Sequence, residues 1–286
     1  MVALVGPPNV GKSTLLNVLL GQKISIVSPK PQTTRNRILG IVNGEGYQIV
    51  LLDTPGLHKG TIPLNIEMAR IAQETLGEVD IVVFMVDASM PAPKPGSDLA
   101  ECLSGRTTPA ILLINKMDLL RREKLLPLIE AYQGLHDFTA IIPISALRAE
   151  GPEQLLAELV GLLPEGPRYF PDDIPTDASV RFIAAEIIRE KIFLLTGEEI
   201  PYSTAVVIDR FQEGDSLVTI DATIIIEKDS QKGMVIGKQG AKLKAIGTAA
   251  RRDIEELVQT KVMLKLWVKV KKNWTKNASF LKELGF

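Results

Sequence analysis

Two glycine-bearing stretches carry residue types and spacings that can do chemistry: "GPPNVGKST" at the start of the chain and "KGMVIGKQGAKLKAIG" at 232–247. The first fits G-x-x-x-x-G-K-[ST], follows a strand-like "VALVG" and opens an apolar helix, "STLLNVLL". Gly6 and Gly11 let the backbone of Pro7, Pro8, Asn9 and Val10 curl so that its N–H groups face phosphate oxygens, and the helix start adds partial positive charge there. Lys12 is expected to reach the β- and γ-phosphates, Ser13 to ligand Mg²⁺, and Thr14 to sit beside it in the first turn.

Three later stretches complete a purine-nucleotide site. "DTPG" ends the run "IVLLD", which places Asp53, Thr54, Pro55 and Gly56 at the carboxyl edge of a sheet. Asp53 is expected to hold the metal through water, and the Gly56 N–H to sense the γ-phosphate. "NKMD" (Asn115, Lys116 and Asp118) follows "AILLI" at the same edge. Asp118 can accept from N1–H and the exocyclic amine of guanine, two donors that adenine lacks, so the site discriminates by roughly 10⁴-fold. Ser145 and Ala146 after "IIPI" add backbone support. Between these motifs lies the polar loop 28–40, in which Thr34, rather than Thr33, is expected to cap the metal. Ser13, Thr34 and Asp53 are the candidate metal ligands, and Lys12, Thr34 and Gly56 the candidates acting on the transferred phosphate.

Leu57 follows "DTPG", where some GTPases place a glutamine that orients water. Leucine cannot do this, and neither Arg35 nor Arg37 is an evident arginine finger. Slow intrinsic turnover is the expectation. Asn9 beside the β/γ bridge offers a route to K⁺ in place of a finger.

The second glycine stretch has three residues, not four, between Gly233 and Gly237, and no hydroxyl after Lys238. Read from Gly237 it is a G-x-x-G loop, Gly237-Lys238-Gln239-Gly240, that lets a nucleic-acid backbone approach peptide N–H groups. Lys242, Lys244, Arg251 and, on the final strand, Lys269 supply charge. In that strand Val262, Leu264, Leu266, Val268 and Val270 share one face, and Lys265, Trp267, Lys269 and Lys271 the other. Trp267 either stacks on a base or packs on the C-terminal helix.

These residues need two scaffolds. At 286 residues and 45 % apolar content the chain is long enough for two domains. Residues 1–164 alternate Val/Ile/Leu runs ("VALVG", "ILGIV", "YQIVLLD", "DIVVFMVD", "AILLIN", "AIIPIS") with amphipathic stretches, which predicts buried strands of an α/β sheet. Four prolines and a glycine in "LPEGPRYFPDDIPTDAS" mark a linker at 165–178. Residues 179–286 predict a helix over about 179–195 capped by Ser179, a hairpin through "QEGDS", the glycine loop, a helix over 241–258, a strand and a short helix. Net charge is −1, but residues 232–286 hold thirteen Lys/Arg against four Asp/Glu, so the basic end calls for a polyanion. A lone cysteine excludes internal disulfides, the longest apolar run is too short for a bilayer, and the strand-like start predicts no signal peptide.

The motifs "GPPNVGKSTLLN", "PQTTRNRI", "LLDTPGLH", "NKMD", "ISA", "TDASVRFIAAEIIREK", "EIPYS", "VIGKQGAKLKAIG" and "LWVKVKKNW" occur in this order over nearly the whole chain, which resembles Era-type GTPases. Pro7 departs from the Arg or Lys frequent in that family, and the shorter start is expected to trim the first strand. The resemblance implies an α/β P-loop NTPase domain, a mostly parallel sheet with flanking helices, followed by a smaller α+β KH domain of type II. It implies a monomeric, cytoplasmic GTPase that binds GTP/GDP and Mg²⁺. Its expected role is small (30S) ribosomal subunit assembly through 16S rRNA near its 3′ end, with peripheral contact with the inner face of the cell membrane. The residues alone leave open a GTPase that signals to a protein partner, and an RNA chaperone that binds GTP without hydrolysing it.

Overall fold

The computed structural model describes residues 1–57, 61–91, 102–197 and 199–285; His58 of "DTPGLH" and residues 59–60 of the loop after it lie outside them. The chain divides into two compact units, each described by itself.

The first unit holds all six expected strands: β1 (Val2–Val5), β2 (Ile38–Gly44), β3 (Tyr47–Asp53), β4 (Ile81–Asp87), β5 (Ala110–Asn115) and β6 (Ala140–Pro143). They form one sheet in the order β2-β3-β1-β4-β5-β6, parallel except for β2, which runs antiparallel to β3. β1 and β5 are buried along their whole lengths, which is why they read as unbroken aliphatic runs instead of alternating ones. Helices α1 (Lys12–Leu20), α3 (Leu125–Gln133) and α4 (Pro152–Leu162) accompany the sheet, and of α2 (Pro63–Thr75) the part from Met68 onward belongs to this unit.

The proline-rich stretch is laid along the open edge of this sheet. Gln48 Oε1 accepts from the N–H groups of Tyr169 and Phe170 at 2.8 and 3.0 Å, Ile41 N donates to Pro175 O at 2.8 Å, and Thr176 Oγ1 donates to Leu39 O at 2.6 Å. An uncovered edge strand invites pairing with other chains, and prolines that cannot extend a ladder cover it safely. The stretch through Asp177 therefore groups with the first unit.

The second unit contains α5 (Val180–Leu195), β7 (Ala205–Gln212), β8 (Leu217–Ile226), α6 (Asp229–Ile236), α7 (Ala241–Val258), β9 (Lys261–Val270) and α8 (Ala278–Glu283). The sheet order is β7-β8-β9, with β8 antiparallel to β7 and parallel to β9. Ser179 caps α5 by accepting from Phe182 N at 3.2 Å, as its type and position predict. Helix α6 was not evident in the sequence. It is held by Gln231, whose Oε1 accepts from Glu227 N and Lys228 N at 3.0 Å while its Nε2 donates to Ser203 Oγ at 2.9 Å. The tryptophan that meets the C-terminal helix is Trp274, fully buried and edge-on to Phe280, whereas Trp267 is left 49 % exposed.

Ile26–Thr33 also belongs to this unit by its packing. Val27 N donates to Glu190 Oε1 at 3.0 Å, Arg189 to the Thr33 carbonyl, and Lys30 to the carbonyls of Phe193 and Thr196. Arg189, Glu190 and Lys191, three consecutive charged residues of α5, are all buried. Burial alone would lower the Lys191 ammonium, but hydrogen bonds from it to Asp253 on α7 and to Glu190 outweigh that and hold it above its ordinary value.

Candidate nucleotide site and nucleic-acid cleft

The Gly6–Lys12 loop curls as its glycines allow. Gly6 and Gly11 stand at φ 144° and 105°, and a Cβ on them would lie 2.3 Å from Met85 O and from Asn115 Nδ2 respectively. No other residue fits either place. Asn9 adopts φ 62° between them. Gly56 brings "DTPG" against this loop: a Cβ there would lie 2.8 Å from the Pro8 backbone, and Leu57 N donates to Gly6 O at 3.0 Å.

Lys12 is buried, and its Nζ donates to Gly6 O and Pro7 O, both at 3.1 Å. Burial lowers its ammonium to about 8, against the opposing pull of Asp53. A buried cation whose hydrogen-bond partners among the described residues are loop carbonyls is placed to take a phosphate oxygen. Ser13 Oγ lies 2.6 Å from Asp53 Oδ2 and 2.8 Å from Thr34 Oγ1, and Thr34 Oγ1 lies 3.5 Å from that same carboxylate oxygen. The neighbouring threonine faces elsewhere, with Thr33 Oγ1 donating to Lys30 O at 2.8 Å. Asp53 is fully buried, and burial raises its carboxyl against Lys12 and the three hydroxyls of Ser13, Ser25 and Thr34. Its Oδ1 has no hydrogen-bond partner among the described residues. An orphan carboxylate oxygen beside two converging hydroxyls is the donor set of a hard divalent cation, so the residues fit Mg²⁺.

At the base end, Asp118 Oδ1 accepts from Ser145 Oγ at 2.6 Å. Asn115 has a structural role that its motif alone does not reveal. Buried, it donates from Nδ2 to Val10 O at 2.6 Å and accepts from Ala146 N at 2.9 Å, tying the phosphate loop, "NKMD" and "SA" together. Three other contributors lie outside the sequence motifs. Asp87 takes Lys116 Nζ at 2.6 Å, and Asn17 Oδ1 accepts from Ser25 N at 2.9 Å. Ser25 itself donates to Asp53 at 2.9 Å. Asp87 was findable, since it ends a buried strand at the same sheet edge as Asp53. Thr54 is occupied internally with Leu4 O at 2.8 Å. Pro55 is buried, while Pro7 and Thr14 make no side-chain hydrogen bond among the described residues. Leu57 packs against the core below the sheet edge, and Arg37 is paired with Glu78 at 2.7 Å.

In the second unit the "GKQG" loop joins α6 to α7. Gly237, Gln239 and Gly240 have φ of 73°, 52° and 76°, and a Cβ on Gly237 would lie 2.7 Å from the Lys242 Cβ. Beside the loop opens a cleft of about 360 Å³ between α7 and β9, lined by Gly240, Leu243, Lys244, Gly247, Thr248, Arg251, Leu264 and Leu266. Lys238 and Gln239 are exposed on the loop, and Lys242 stands at the first turn of α7. Lys269 is not among the cleft residues, because its place in β9 puts it on the opposite face from Leu264 and Leu266.

The fold and these two sites define the class: a P-loop GTP-binding domain followed by a KH domain. Family models agree, one described as "50S ribosome-binding GTPase" matching residues 1–116 and one for the KH domain matching 199–275. GTPase Era of Syntrophus aciditrophicus is 52 % identical over 287 residues, covering 100 % of this chain and 94 % of its own length. GTPase Era of Geotalea uraniireducens is 53 % identical, with coverage of 100 % and 96 %. A crystal structure of Era in complex with MgGDPNP and nucleotides 1506–1542 of 16S ribosomal RNA superposes with a TM-score of 0.96 at 41 % identity, covering 99 % of this chain and 97 % of that one. A point variant of Aquifex aeolicus Era bound to GDP·AlF4⁻ superposes at 0.93 and 40 %, with the same coverage. The chain belongs to the Era family of GTPases.

Proposed function

We propose that this GTPase binds 16S rRNA near its 3′ end through the KH cleft and acts as a GTP-switched factor in 30S subunit biogenesis. The observation that carries the reading is the convergence of Lys12, Ser13, Thr34 and Asp53 at one sheet edge, with Asp118 at the same edge for the base. In this reading the backbone of residues 6–14 cradles the phosphates and Lys12 neutralises them. Asp118 selects guanine, and Asn115, Lys116, Ser145 and Ala146 hold the base pocket in shape. Ser13, Thr34 and Asp53 would hold Mg²⁺, which supplies charge neutralisation at the β- and γ-phosphates when bound. Gly56 and Thr34 report the γ-phosphate to the two loops that follow the phosphate-binding helix.

Leu57 is turned toward apolar neighbours, so no side chain at that position orients the attacking water. Slow intrinsic turnover follows, with Asn9 as the seat for K⁺; equal rates in potassium and sodium would remove that cation. On the RNA side, the G-x-x-G loop offers N–H groups to the backbone, with Lys238, Lys242, Lys244 and Arg251 neutralising phosphate. The reading places the protein in the cytoplasm as a monomer. Its basic C-terminal region is the support for peripheral membrane contact; among the described residues no helix is long and apolar enough to cross a bilayer. Vesicle flotation with anionic lipid tests that contact.

The deciding experiment measures GTP turnover and binding of an RNA spanning nucleotides 1506–1542. Specific RNA binding together with guanine-selective hydrolysis is expected. Binding that shows no preference over an unrelated RNA returns the protein to the class of GTPases acting on protein partners.

A further inference from the structure

Strand β9 has two faces, and the cleft uses one. Leu264 and Leu266 line the cleft below α7, so the residues between them point away from it. On that outward face Trp267 is 49 % and Met263 40 % exposed, and Lys265 and Lys269 are exposed on either side of the tryptophan. The parallel register with β8 sets Asp221 beside Lys265 and Thr223 beside Trp267. Thr223 Oγ1 is engaged with Asp209 at 2.7 Å. Asp221 Oδ1 is buried and has no hydrogen-bond partner among the described residues. β9 is also an edge strand of its sheet, so a polymer leaving the cleft crosses a single backbone to reach this face.

We propose that the outward face of β9 is a second single-stranded RNA subsite: a base stacks on Trp267, its phosphates follow Lys265 and Lys269, and its exocyclic amine meets Asp221. The proposal rests on the RNA-binding reading of the cleft. A half-exposed indole between two lysines supplies the π-surface and the positive charge that base stacking uses. The charges are also ordered across the sheet. Lys265 and Lys269 stand on β9, where a sugar-phosphate backbone would run, and Asp221 stands on the central strand between Lys265 and Arg210, where a base edge would lie. A carboxylate accepts from amine-bearing bases, and the indole supplies a flat stacking surface that a lipid headgroup does not use. RNA is therefore the occupant that fits, with adenine, cytosine or guanine favoured over uracil, which has no exocyclic amine.

The test uses the full chain and two labelled oligoribonucleotides of adenine and cytosine, one of about four nucleotides, which fills a KH cleft, and one of about ten, which extends beyond it. Trp267→Ala is expected to weaken the longer one about ten-fold and to leave the shorter unchanged, with Trp267→Phe restoring most of the loss. The chain has only two tryptophans, and Trp274 is buried, so quenching of indole fluorescence by the longer RNA should vanish in Trp267→Phe. Replacing the longer RNA by oligouridine should mimic the Trp267→Ala loss in part. The proposal is overturned if Trp267→Ala binds the longer RNA like the parent, or if both lengths weaken equally. It is equally overturned if the substitution costs binding to anionic vesicles and not to RNA. Gly237→Asp separates the two readings: its loss of the short RNA upholds the cleft, so an unmoved Trp267→Ala then overturns the outward subsite alone.

Discussion

The Val27 amide and Glu190 Oε1 lie 3.0 Å apart, although 163 residues separate them in the chain. Glu190 also takes Lys191, which reaches Asp253 on α7, the helix that begins at the G-x-x-G loop. The chain that starts from this anchor runs through Thr33, whose carbonyl Arg189 holds, directly into Thr34 at the metal site. We therefore expect a nucleotide-dependent movement at Thr34 to pull on the segment fastened to α5. Glu190→Gln keeps the acceptor for Val27 and removes one of the two carboxylates that Lys191 faces, leaving Asp253. We expect it to cost about 1–3 kcal/mol of stability and to leave GTP affinity unchanged. The ratio of RNA affinities between the GTP-analogue and GDP forms should shrink toward unity. Anisotropy titrations in both nucleotide states read that ratio directly, and an undiminished ratio refutes the link.

Asp118 carries the choice of base. Substitution by Asn replaces an acceptor with a donor while keeping the partner for Ser145 Oγ. GTP affinity should drop by at least about 100-fold, and xanthine nucleotides, whose 2-oxo group suits an amide donor, should become preferred. Competition between GTP and XTP for a fluorescent nucleotide decides it, and retained guanine selectivity rules out the proposed pairing.

Burial lowers the Lys12 ammonium to about 8 from 10.5. Between those values the unfolded chain binds a proton that the nucleotide-free folded protein does not. Stability is thus highest above 10.5, falls as pH drops toward 8, and is flat below. The full span corresponds to about 3 kcal/mol. Other lysines and tyrosines titrate in this window, so the informative quantity is the difference between the parent and Lys12→Met. That difference should slope with pH in the nucleotide-free protein and flatten when a triphosphate supplies the ammonium with a partner. Chemical denaturation at several pH values from about 7.5 to about 10.5 provides it, and a flat difference without nucleotide contradicts the burial argument.

Much of this architecture was readable from residue order. The six strands of the first unit stand out because a mostly parallel sheet buries both faces, leaving continuous aliphatic runs. Lys12, Ser13, Asp53 and Asp118 were findable because each sits where a strand or glycine loop forces it to the sheet edge. Other features depend on partners distant in sequence. Helix α6 contains a glycine and no clear apolar stripe, and it exists because Gln231 is clamped between Glu227 and Ser203. Nothing local marks the charged run Arg189, Glu190 and Lys191 as buried; its burial follows from Thr33, Val27 and Asp253. The proline-rich stretch reads as a spacer because nothing local announces that Gln48 will hold it on the edge of β2.

Gly247 sits in the interior of α7 and lines the cleft, where a Cβ would meet Leu266 Cδ1 at 3.4 Å, an ordinary contact. Its φ is not positive, so the backbone does not require glycine. Gly247→Ala should therefore stabilise the protein by about 0.5–1 kcal/mol through helix propensity. What glycine does provide there is space in the cleft. Gly247→Leu puts a branched side chain into the cleft between Leu243 and Leu266 while keeping the helical gain. It is expected to fold and to hydrolyse GTP at the parent's basal rate, yet to weaken RNA at least about ten-fold by occluding the groove beside the G-x-x-G loop. Thermal melts and anisotropy on Ala, Leu and the parent separate the two effects. A Leu variant that melts at the parent's temperature and binds RNA undiminished means that the strand does not lie in this cleft.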